Sequence, residues 1–81
     1  MGLNSRVDLQ RLIGRAPDSL RVAEAEALRG KWIALEIYSP DRLPLRRIEA
    51  IGDSVEECMR QLAARGLDPR RYEYIPYKGP F

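Results

Sequence analysis

A capped amphipathic helix set between strand-like runs constrains this chain more than any other feature. From Asp53 onward, Val55, Cys58, Met59, Leu62 and Ala63 recur at helical spacing and make one apolar stripe. Ser54 stands three residues before Glu57, the spacing of a capping box. Glu56 and Glu57 suit the positive end of the helix dipole, Arg60 and Arg65 suit the negative end, and Gly66 supplies the stop. Ahead of this helix, Trp32 to Tyr38 is rich in β-branched and aromatic residues, with Ile33, Leu35 and Ile37 alternating against Trp32, Ala34, Glu36 and Tyr38. A turn through Ser39, Pro40, Asp41 and Arg42 leads to a second strand from about Leu45 to Ile51, with Ile48 and Ala50 on one face. Arg71 to Ile75 reads as a third strand, and the tail from about Pro76 to Phe81 as irregular.

The N-terminal third adds two short helices. Leu9, Leu12 and Ile13 share a stripe within residues 3–14, which Gly14 and Pro17 terminate. Leu20, Ala23, Ala27 and Leu28 form a thin apolar face on a second segment starting at Asp18 or Ser19 and ending before Gly30. The expected fold class is α+β: a three-stranded mixed sheet of order 2-1-3, built from a β-β-α-β core and preceded by two short N-terminal helices. Residues 1–16 make a helical arm and residues 17–81 a single domain. The stripe of the long helix is expected to pack on Ile33, Leu35 and Ile37.

Two stretches carry resemblances. Gly30-Lys31-Trp32-Ile33-Ala34-Leu35 resembles the GKWVAL-like strand of a family of short prokaryotic proteins of unknown function, in which a helix precedes that strand. The Ile75-Pro76 pair matches that family's closing feature, so the likeness spans residues 20–76 and implies a fold without an activity. Gly52-Asp53-Ser54-Val55-Glu56-Glu57-Cys58 is similar to the turn into the helix of HicB-like antitoxin domains, and this implies a small protein that binds a toxin. Ser39 to Pro44 stands where those domains carry a Pro-Gly and cysteine stretch.

Composition narrows the chemistry. The 81 residues include no histidine and one cysteine, Cys58. That combination excludes an intrachain disulfide, a Ser–His–Asp triad, a Cys–His dyad and a tetrahedral zinc site of the usual Cys and His ligands. Glu56 and Glu57 are neighbours in one helical turn and diverge, so they do not form an acid–base pair aimed into a cleft. Cys58 lies in the apolar stripe with no activating partner in sight. No catalytic, metal or cofactor-binding residue is expected. With no apolar run long enough to span a bilayer and no leader-like N-terminus, the expected location is the cytoplasm, away from membranes.

Binding residues are therefore the candidates. Trp32, Tyr38, Tyr72 and Tyr74 gather aromatic surface near Arg46, Arg47, Arg70 and Arg71. Such a face serves as core, as a protein interface, or as a platform where bases stack and arginines pair with phosphates. Fourteen basic residues against twelve acidic ones give a net charge of only +2, which favours protein over nucleic acid. Leu9, Leu12 and Ile13 offer an amphipathic arm for a groove. The expected function is a non-catalytic protein–protein interaction module, antitoxin-like or an adaptor subunit, that binds a protein partner or a second copy of itself. The alternative is a small nucleic-acid-binding protein using the arginine and aromatic face.

Overall fold

The computed structural model of the protein describes residues 8–37 and 47–79. After a 3-10 turn at Leu9–Leu12 and another at Pro17–Ser19 come helix α1 (Val22–Leu28), strand β1 (Trp32–Glu36), strand β2 (Ile48–Gly52), helix α2 (Val55–Ala64), a 3-10 turn at Pro69–Arg71, and strand β3 (Tyr72–Pro76). The strands form one sheet of order β2-β1-β3.

The sheet is antiparallel throughout, which corrects the expected mixed sheet. β1 lies between β2 and β3 and runs against both. A crossover through α2 sets β2 and β3 in the same direction, but they never share hydrogen bonds, so no parallel ladder forms. The β-β-α-β unit is also not the core by itself. A helix and a further helical turn lie between β2 and β3, and the residues ahead of β1 supply Leu12, Ala25 and Leu28 to the buried interior. Among the described residues, the first expected helix is a four-residue 3-10 turn, capped by the Asp8 carboxylate accepting the Gln10 N–H at 3.0 Å. The second is a seven-residue helix that starts beyond Asp18 and Ser19; its Glu24 carboxylate accepts the Arg21 N–H at 2.8 Å.

Two apolar clusters sit on opposite faces of the sheet. On one face Ile33, Leu35, Ile48 and Ile51 pack with Leu12, Ala25, Leu28 and Tyr77, flanked by Leu9, Ile13 and Leu20. On the other, Ala34 and Ala50 pack with Cys58 and Leu62 of α2, flanked by Trp32, Leu67, Tyr72 and Tyr74. This reverses the expected docking of α2 on Ile33, Leu35 and Ile37. Met59 is 37% exposed and Ile37 49% exposed. The reason is steric: Ala34, Ala50 and Gly52 form a low strip that lets a helix approach closely, whereas the branched face needs a separate cover. Gly52 shows how close the approach is, since a Cβ there would lie 2.8 Å from Glu57 Oε1 and 3.0 Å from Glu57 Cβ.

The faces of β2 also differ from simple alternation. Ala34 pairs with Ala50 but Leu35 pairs with Ile48, so a β-bulge lets Glu49 drop out of register. Ile48 therefore joins Ile51 in the branched cluster while Ala50 points the other way.

Candidate functional site

The two edges of the sheet are treated unequally. Along β2 the outer backbone groups are taken by side chains and by the N-terminal segment. Gln61 Nε2 donates to Ile51 O at 2.7 Å, and Gln61 Oε1 accepts the Ile51 N–H at 3.1 Å. Arg65 Nη1 donates to Glu49 O at 2.8 Å and pairs with the Glu49 carboxylate at 3.2 Å. The Ile48 N–H donates to Arg15 O at 2.9 Å, and Ile48 O accepts the Gly14 N–H at 2.7 Å. An open groove of about 580 Å³ beside this edge, lined by Gln10, Ile13, Glu49, Gln61, Ala64 and Arg65, thus has its main polar groups already engaged.

β3 is different. Among the described residues it has one strand neighbour, β1, and none of its five residues is buried. α2 packs chiefly over β2 and β1, and the N-terminal turn leans on β2 as well. Both covering layers therefore shift away from β3. Ile75, 36% exposed, and Pro76 stand open beside half-buried Tyr72 and Tyr74. Among the described residues, Val22, Ile37 and Met59 are the other large apolar side chains left exposed.

The expected binding residues are placed as follows. Leu9, Leu12 and Ile13 are committed to the molecule's own core, with Leu12 only 1% exposed. Trp32, Tyr72 and Tyr74 flank the α2 cluster and are half-buried there. Tyr74 is further tied down, because its hydroxyl donates to Pro69 O at 2.6 Å; burial pushes that hydroxyl's pKa up. Arg70 forks onto the Asp68 carboxylate, with Nε and Nη2 each at 3.2 Å, and the fork holds that carboxyl below the usual carboxylate range. Arg71 and Arg47 are exposed and flank the same end of the sheet, since Ile37 follows β1 beside Arg71 and Leu35 pairs with Ile48. Tyr38 and Arg46 lie outside the described residues. Ile75 ends the expected third strand and Pro76 begins the expected tail, and neither is among the expected binding residues. Their signal as a site is an apolar residue and a proline on an edge strand, which becomes visible only once the strand order is known.

The thiol of Cys58 is buried, 3.4 Å from Trp32 O, and desolvation followed by the nearby Glu57 carboxylate pushes its pKa up. A raised thiol is a poor nucleophile at neutral pH. Among the described residues no group of three His, Cys, Asp or Glu side chains is placed to hold a metal ion, and no helix is long and apolar enough to cross a membrane. No protein-family model, curated protein or solved structure matches the chain.

Proposed function

We propose that this protein is a non-catalytic protein–protein interaction module that binds through the β3 side of its sheet, in the manner of an antitoxin-like neutraliser or an adaptor subunit. The observation that carries the reading is the asymmetry between the edges: β2 is closed by Gln61, Arg65 and the Gly14–Arg15 backbone, while β3 carries no buried residue and exposes Ile75. Native sheets manage their edges, and an exposed isoleucine beside half-buried aromatic side chains on an edge strand suits a surface that a partner covers. Cys58 gives no support to catalysis, being desolvated. A single thiol without a disulfide partner suits a reducing compartment such as the cytoplasm.

Support for nucleic acid is weaker. Arg70 is engaged by Asp68, Tyr74 by the Pro69 carbonyl, and the aromatic rings lie against α2. Purification of the tagged protein beside its Ile75→Lys variant tests the reading. A protein bound at fixed stoichiometry to the wild type and lost from the variant is the expected result. Copurified nucleic acid, with absorbance peaking at 260 nm and retention weakening steeply with salt, would replace this reading with the alternative.

A further inference from the structure

We draw no further inference here: the strongest candidate, the groove of about 360 Å³ between the Pro17–Ser19 turn, the start of α1 and the residues after β3, lined by Leu20, Val22, Ala25 and Tyr77, is an apolar face, and nothing in the structure shows what covers it.

Discussion

Gln61 holds both backbone groups of Ile51: its amide nitrogen donates to the Ile51 carbonyl at 2.7 Å, and its amide oxygen accepts the Ile51 N–H at 3.1 Å. One side chain of α2 thereby stands in for a fourth strand at this point of the β2 edge. Gln61→Ala should destabilise the fold by about 1–3 kcal/mol, since two partly buried backbone groups lose their partners. Urea titration measures the loss, and faster aggregation on warming should accompany it as the edge opens. A variant as stable as the wild type would show that the contact contributes nothing.

Leu12 and Met59 should respond in opposite ways to what the apolar stripes alone suggest. Leu12 is 1% exposed within the branched cluster, so Leu12→Ala should cost about 2–5 kcal/mol. Met59 is 37% exposed, so Met59→Asp should stay within about 1 kcal/mol of the wild type, as surface changes do. Removal of residues 1–16 takes away Leu12 together with the Gly14 and Arg15 bonds to Ile48, and should leave the remainder unfolded by circular dichroism. A folded remainder would show that the N-terminal layer is dispensable.

Gly52 gives way to no side chain. Gly52→Ala places a Cβ 2.8 Å from the Glu57 carboxylate oxygen and 3.0 Å from the Glu57 Cβ. The carboxylate can swing aside but the Glu57 Cβ is fixed to the helix, so α2 must shift. Overpacking of this kind costs about 1–3 kcal/mol. Thermal melts of Gly52→Ala should show the loss, and an unchanged midpoint would mean that α2 adjusts freely.

Cys58 should resist modification and should weaken the fold at alkaline pH. Burial raises its pKa in the folded state. Above the unfolded thiol's pKa, about 8.5, the unfolded chain releases a proton that the folded chain keeps, so stability falls as pH rises from there. A disulfide reagent at pH 7 should label the native protein far more slowly than the protein in urea. Cys58→Ala should flatten the alkaline decline. Rapid labelling of the native state would contradict the burial.

Glu24 and Asp68 should act at the acid end. Glu24 is held below the usual carboxylate range by the Arg21 N–H and then the Arg15 guanidinium, and Asp68 by Arg70. Their contribution is present above the unfolded carboxyl pKa and is lost as pH falls through the lower folded value. Both groups are only partly buried at the surface, so the effect should be small and should shrink with added salt. Acid titrations of Glu24→Gln at two ionic strengths check this, and a salt-independent loss would point to another cause.

The helix α2 was legible in the residues because its signals are local. Ser54, whose Oγ accepts the Glu57 N–H at 3.1 Å, and Gly66, with φ of +76°, act within a turn of the helix they bound. The three strands and the order 2-1-3 follow from alternation and short connections. What only the tertiary structure decided was which layer covers which face. Alternation in β1 separates Ile33 and Leu35 from Trp32 and Ala34, but it does not say that α2 takes the side with Ala34, Ala50 and Gly52. That choice depends on how near a helix can come to residues brought together from two strands. The bulge at Glu49 is likewise a matter of fit between strands, and it moved Ile48 to the other face from Ala50. The aromatic residues Trp32, Tyr72 and Tyr74 are plain in the sequence, yet their burial beside Cys58 and Leu62 depends on that helix placement. The edge position of β3 among the described residues is the furthest from local signals, because it depends on the order in which distant strands pair. The residues determined the elements through hydrogen bonds and periodicities a few positions long. Packing between distant segments decided the faces, the core and which strands lie at the edges.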